Sequence, residues 1–346
     1  MGLTRLALGL FVIIATVLIL SYTQAVLLPF VMALIVWYMI RLVQVRIKRI
    51  TINGRVLPRW LRGTLAFASI AGVLSLFLSL LISNINNVAG VLPHYEQNLS
   101  AMRAQVEQLT GFDLGRKLDI YLRGMDVGKV LTLMLNALTS LLGNGTLVLI
   151  YVAFIMLEER HAREKLLAMH NGAGIERTRE MLERVDASLS HYVTLKTGMS
   201  LLTGVVSYIA LLIIGVDFAF FWAMLIFLLN YIPTVGSLVA TVFPALVAAV
   251  QFGSFGPALW VLGSVGTVQL LVGNMLEPRL MGNSLNVSPL VVLLALAFWG
   301  WLWGIVGMFL SVPITVVLVL VMAQIPSTRW VAVLLSEKGR LNGGAS

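Results

Sequence analysis

Apolar side chains recur along this chain in runs long enough to cross a bilayer, at 6–20, 25–40, 61–82, 131–157, 199–215, 218–250, 257–276 and 289–322. About 20 apolar residues of helix cover the ~30 Å hydrocarbon core. The first run follows Arg5 and precedes Thr23-Gln24-Ala25, as a secretory leader would. A second run begins at once, however, and the two read as a helical hairpin kinked at Pro29. Two runs exceed one simple span. The stretch 218–250 is 33 residues long and contains Pro233 and Pro244; the stretch 289–322 is 34 residues long and contains Gly300, Gly304, Gly307 and Pro313. Each is expected to break into two pieces. The pattern predicts an all-α polytopic membrane protein of about eight transmembrane helices, with broken or re-entrant helices in the C-terminal half. Two full splits would raise the count to about ten.

Two polar segments follow a different rhythm. In the first, Leu81, Ile85, Val88, Leu92, Tyr95, Leu99, Met102, Val106 and Leu109 alternate in steps of four and three. Pro93 interrupts this heptad seam, so two helices are expected, the second beginning near His94. In the other segment, Thr178, Leu182, Val185, Leu189 and Tyr192 repeat the spacing. Both seams suit packing against the protein's own membrane domain, and both suit subunit association.

Basic residues orient the spans, because short loops rich in Lys and Arg stay cytoplasmic. Arg41, Arg46, Lys48, Arg49, Arg55, Arg59 and Arg62 fall between the second and third runs, with no acid among them. Counting outward from that loop places the N-terminus in the cytoplasm and the loop after residue 82 outside; the tail, with Arg329, Lys338 and Arg340 against Glu337 alone, also reads as cytoplasmic, which demands an even number of crossings. That external loop carries five basic and five acidic residues, without the bias of an inside loop. The expected organisation is then 1–82, three transmembrane helices with the basic loop at 41–62; 83–130, an extracytoplasmic amphipathic segment; and 131–157, a further span. A cytoplasmic amphipathic segment at 158–196, a broken-helix transport core at 197–325 and a cytoplasmic tail at 326–346 complete it.

Composition narrows the function. Of 346 residues, 59% are hydrophobic and 11% charged, against roughly 25% charged in soluble domains. The mean hydropathy of +0.95 describes a surface facing lipid. The net charge of +9 is concentrated in the 41–62 loop, which argues against a nucleic-acid partner. There is no cysteine, hence no thiol chemistry, and the four histidines lack metal-ligand spacing. No phosphate-binding glycine motif is present, so transport is expected to run without ATP hydrolysis, and no catalytic constellation or cofactor site is apparent.

Between 197 and 328 only Asp217, Glu277 and Arg279 are charged. Ionisable groups in lipid cost several kcal/mol unless hydrated or paired, which makes these three candidate site residues. Two of them have a plainer reading. Asp217 suits a solvated cap after Gly215, and Pro278 biases Glu277 away from helical geometry. Asn230, Tyr231, Pro233, Thr234, Gly236 and Ser237 interrupt an apolar run with polar and helix-breaking residues. Broken helices free backbone groups that can bind a substrate, although a tight inter-span turn has the same composition. Gly300 to Gly304 with Gly307 forms a second break. Phe221-Trp222 and Phe298-Trp299 precede the prolines of the two breaks at similar distances, a weak repeat.

These residues also resemble the autoinducer-2 exporter family, or PerM-type predicted permeases. The resemblance rests on Ser190-His191-Tyr192 with Leu195-Lys196-Thr197, and on Asn230-Tyr231-Ile232-Pro233-Thr234-Val235-Gly236-Ser237. It continues through Asn274-Met275-Leu276-Glu277-Pro278-Arg279, Ser288-Pro289-Leu290 and Phe298-Trp299-Gly300-Trp301-Leu302-Trp303-Gly304. Ile305 and Asn283 depart from the family pattern, where a proline and a basic residue are expected. The resemblance implies a bacterial inner-membrane homo-oligomer exporting the signal autoinducer-2, or in other members exchanging monovalent cations for protons. Neutral hydrogen-bonding residues at the breaks, including Asn230, Tyr231, Thr234, Ser237 and Asn274, suit a small polyhydroxylated solute. An antiporter would rely on Asp217 or Glu277. An oligomeric scaffold without transport accounts for the seams but not for the breaks.

Overall fold

A computed structural model describes residues 2–48, 51–52, 55–58, 60–76, 79–80, 95, 97–98, 145–168, 173–281, 286–337 and 339. Among these, helix dominates and the only strands are the two-residue pair β1 (Thr51–Ile52) and β2 (Arg55–Val56). The protein is an all-α, multi-pass membrane protein. Five of its described helices are long and apolar enough to cross a membrane, and three shorter apolar helices accompany them. The chain divides into two compact units, 1–70 with 143–192 and 283–346, and 71–142 with 193–282.

The first unit begins with α1 (Gly2–Tyr22) and α2 (Gln24–Ile47). Thr23 alone joins them, with φ −92° and ψ 8°. A helical hairpin needs about 2–5 linking residues, so the chain bends here instead of reversing, which corrects the hairpin expected from the sequence. Residues 41–47 contain no breaker, and α2 therefore continues to Ile47, carrying Arg41 and Arg46 on a helix. The short β ladder follows, then α3 (Trp60–Leu76), which runs across the division between the units. Helix α4 (Gly145–Ala168) packs against α2. Next is α5 (Ala173–Ile214), 42 residues whose N-terminal half, with the seam residues Leu182, Val185 and Leu189, belongs to this unit.

The second unit continues α5 from Val193 and adds α6 (Ala219–Leu229), α7 (Val235–Phe252) and α8 (Phe255–Gln269). Ser254 caps α8 by accepting a hydrogen bond from the Gly256 amide. A π-helical stretch (Leu270–Leu276) then leads into α9 (Glu277–Met281). Leu211, Phe221, Trp222, Ile226, Ala248, Val261 and Val265 form the buried core. Tyr95 joins that core, so the one described member of the first seam packs within its own unit. The other eight members, and the expected break at Pro93, lie outside the described residues.

The first unit closes with α10 (Pro289–Gln324) and α11 (Arg329–Leu335). As expected, the 289–322 run is interrupted: Gly304 has φ 63° and ψ −144°, which kinks α10 into two helices. Trp299, Leu302 and Trp303 beside the kink pack against Leu20, Leu27 and Val31. The Trp303 indole donates to the Leu20 carbonyl at 3.1 Å, occupying an acceptor next to the Thr23 bend.

Candidate functional site

The run 218–250 breaks between α6 and α7. Asn230 ends α6 in near-helical geometry, Pro233 supplies no amide hydrogen, and Thr234 adopts φ 56°, ψ −59°. A β-branched residue at positive φ is a true outlier, costing on the order of 1–3 kcal/mol. Gly236 restarts the helix because nothing larger fits: a Cβ there would lie 1.8 Å from the Leu229 carbonyl oxygen. The Thr234 hydroxyl donates to the Pro233 carbonyl, and Ser237 donates to the Thr234 carbonyl at 2.8 Å.

Two side chains of this break turn inward onto α5. The Asn230 amide donates to the Ser200 hydroxyl at 3.2 Å, and the Tyr231 hydroxyl lies 2.7 Å from that of Thr197. Asn230, Tyr231 and Ser200 are all buried. Beside them on α5, Lys196 is 5% exposed, and its ammonium meets the Glu277 carboxylate at 2.5 Å. An unpaired charge at such a place would cost several kcal/mol, which is why the two occur together.

Glu277 itself has φ −58° and ψ −50°, within the helical region. This overturns the expectation that Pro278 pushes it into a turn. The π segment removes the conflict, because the Glu277 amide bonds back to the Val272 carbonyl, five residues earlier, in the widened turn ahead of the proline. Asn274, Pro278 and Arg279 are exposed, as is Thr234, while Gly236 is buried. Asn230, Tyr231 and Glu277 are thus gathered on one stretch of α5, and Asn274 and Arg279 are not.

Asp217 belongs to a separate cluster. Its carboxylate accepts from Tyr95 at 2.9 Å, and its amide donates to the Gln251 side chain, which in turn donates to the Gly215 carbonyl. Asn98 donates to the Gln251 carbonyl. Burial first, and then the bond to Asp217, hold the Tyr95 phenol protonated above its ordinary range. This network clips Tyr95 and Asn98 to the α5–α6 and α7–α8 turns.

Sequence reasoning missed Lys196, Thr197 and Ser200. The signal was present: Lys196, Ser200, Thr203 and Ser207 stand four, three and four residues apart in an otherwise apolar stretch, and all four are buried. Polar residues at that spacing share one helix face. Tight packing against α6 explains the burial, since a Cβ at Gly204 would sit 3.2 Å from the Ala223 carbonyl. Among the described residues no group of acidic and histidine side chains is arranged to hold a metal ion.

Known proteins resemble this chain in sequence over most of its length. Residues 8–327 match the model of the AI-2E family transporter. The chain is 35% identical over 323 residues to an AI-2 transport protein of Escherichia coli K12, covering 91% of each. It is likewise 35% identical over 277 residues to a putative transport protein of the same organism, covering 78% of each. A putative transport protein of Haemophilus influenzae is 35% identical over 299 residues, 82% of this chain and 83% of that one. Apolar helices, a buried ion pair and a polar helix break therefore meet in a chain that belongs to the AI-2E transporter family.

Proposed function

We propose that this transporter exports a small, neutral, polyhydroxylated solute across a bacterial inner membrane, with autoinducer-2 as the specific cargo. The observation that carries the reading is the pair of neutral contacts Asn230–Ser200 and Tyr231–Thr197 at the helix break. Hydroxyls and an amide can each exchange one partner for a solute hydroxyl without burying charge. The relative named for AI-2 transport supports the cargo. Basic residues between α2 and α3 support a cytoplasmic position for that connection, and the same charge rule supports one for the C-terminal tail.

A second reading has its own support. The Lys196–Glu277 pair is a buried, exchangeable ion pair of the kind a cation/proton antiporter uses, one carboxylate alternating between a bound cation and a proton. Protons or monovalent cations then replace the signal as the transported species, and self-association through the seams suits either reading.

Proteoliposomes separate the two. Autoinducer-2 efflux that Asn230→Ala lowers at least tenfold, with no sodium- or potassium-driven proton movement, supports export through the break. Cation-dependent proton flux that Glu277→Gln abolishes, with no signal efflux, sinks the export reading.

A further inference from the structure

Three polar atoms in the second unit are buried without a bond. The Ser207 hydroxyl on α5, the Trp222 indole N–H on α6 and the Gln269 amide nitrogen on α8 find no hydrogen-bond partner among the described residues. Their residues are 0%, 2% and 7% exposed. A buried polar group left unpaired is costly enough that native structures keep few of them, and each one needs an explanation.

Helix geometry brings the three to one seam. Asn230 bonds Ser200, a Cβ on Gly204 would touch Ala223 and Phe227, and the Tyr208 and Phe220 rings lie 5.9 Å apart. These contacts fix an antiparallel register for α5 and α6, in which Ser207 is level with Trp222. Helix α5 is also antiparallel to α8, since Asp217 bonds Gln251, just before α8, at one end and Lys196 meets Glu277 at the other. Gln269 precedes Glu277 by about two turns, which sets it level with the α5 stretch from Ser200 to Thr203. Val261, Val265 and Gln269 recur at every fourth residue and are all buried, so Gln269 extends the core-facing side of α8. From Lys196 to Ser207 the seam runs roughly 16 Å along α5, about half the thickness of the hydrocarbon core.

We propose that this seam is a second contact station for the transported solute, where Ser207, Trp222 and Gln269 bond the hydroxyls of a polyhydroxylated molecule that has passed the Asn230–Ser200 contact. The proposal rests on the export reading and extends its path from the break into the core. The chemistry fits a neutral polyol. Two of the three atoms are N–H donors, which a cation cannot use, and the third is a hydroxyl that donates and accepts. No charge enters the apolar core with such a solute, and none of the three atoms gives up an existing bond to take it.

Ser207→Ala and Gln269→Met delete two of these groups at little change in shape, and no hydrogen bond of either side-chain atom goes with them. Thermal midpoints of the purified variants should therefore equal or exceed that of the wild type. Initial efflux rates from proteoliposomes loaded with a series of autoinducer-2 concentrations give the deciding number. Each variant should raise the half-saturating concentration about fivefold, the scale of one hydrogen bond to a solute hydroxyl. If one variant fails to fold, the other decides. Half-saturation unchanged from the wild type overturns the proposal, and it leaves the export reading standing when Asn230→Ala still lowers efflux. A lowered midpoint with unchanged half-saturation assigns the groups to an internal bond or an ordered water, which overturns it as well. Absence of efflux from the wild type sinks the export reading and this proposal together.

Discussion

In the second unit a helix interrupted at 230–234 restarts with Gly236 pressed against the Leu229 carbonyl, and in the first unit a helix interrupted at Gly304 restarts with Gly307 pressed against the Trp299 carbonyl. Phe221-Trp222 and Phe298-Trp299 precede the two breaks with nearly the same ring geometry, centroids 5.2 Å apart and planes at 78° and 77°. The surroundings differ. The first break is tied to α5 by amide and hydroxyl bonds next to the Lys196–Glu277 pair, whereas the second is walled by Trp299 and Trp303, rings 4.9 Å apart, and fastened through one indole N–H. A common backbone device thus stands in a polar setting that can exchange partners and in an apolar setting that cannot. The first suits a solute path and the second a fixed scaffold.

The largest effect is expected from the feature both breaks share. Gly236→Ala and Gly307→Ala each drive a Cβ to within 1.8 and 1.9 Å of a backbone oxygen. Carbonyls inside a helix have little room to retreat, so each variant should lose upwards of about 4 kcal/mol and accumulate poorly. Membrane yield and the thermal midpoint of purified protein are the measurements. A stable Gly307→Ala beside an unfolded Gly236→Ala would show that the two breaks are not the same device.

Next come the charges that only the first break has. Glu277→Ala strands a buried ammonium and should cost about 3–5 kcal/mol. Replacing both partners, Lys196→Met with Glu277→Met, should return most of that stability, since the desolvation penalty disappears along with the attraction. Transport should remain lost in the double variant if the pair takes part in the cycle. A fully active double variant would make the ion pair purely structural.

These expectations also mark what the sequence made legible. Both interruptions were readable from proline and glycine inside apolar runs, because loss of an amide hydrogen or of a Cβ acts locally. The polar character of the first was readable from Asn230 and Tyr231. Lys196 is marked in the sequence only by its spacing with Ser200, Thr203 and Ser207, a signal masked because it stands one position before the long stretch with few charges and counts there as another charge of a soluble segment. Only the continuity of α5 across residues 173–214 carries it into the buried core. The helical geometry of Glu277 was hidden for another reason: a π turn is set by packing and has no composition of its own. The bend at Thr23 has no signature in the sequence, because two adjacent apolar runs look alike whether the chain reverses or continues.

Smaller effects should separate stability from transport. Trp303→Phe removes the indole N–H from the Leu20 carbonyl and should cost about 1–2 kcal/mol while leaving transport rates within about twofold. Asn230→Ala gives up one hydrogen bond and should cost only about 1 kcal/mol. Its transport should nevertheless fall at least tenfold, a larger functional loss for a smaller structural one. Thermal midpoints and proteoliposome flux, measured on the same preparations, decide between this pattern and its reverse.

The smallest change in stability is expected at Thr234. It holds φ 56° with a β-branched side chain, whereas the kink of the other break has the same sign of φ at a glycine, Gly304. Thr234→Gly relieves strain on the order of 1–3 kcal/mol and returns roughly 0.5–1 kcal/mol of that to the freer unfolded chain. The hydroxyl bond to Pro233 is also lost, so a net gain of no more than about 1 kcal/mol is expected. Strain retained where glycine would be easier suggests a backbone that must move between two conformations. Relaxing it should favour the present conformation, slowing transport while Asn230 and Tyr231 keep their partners. Faster or unchanged flux in Thr234→Gly, at equal or greater stability, would show that the strained turn is an ordinary connection between α6 and α7 and takes no part in the transport cycle.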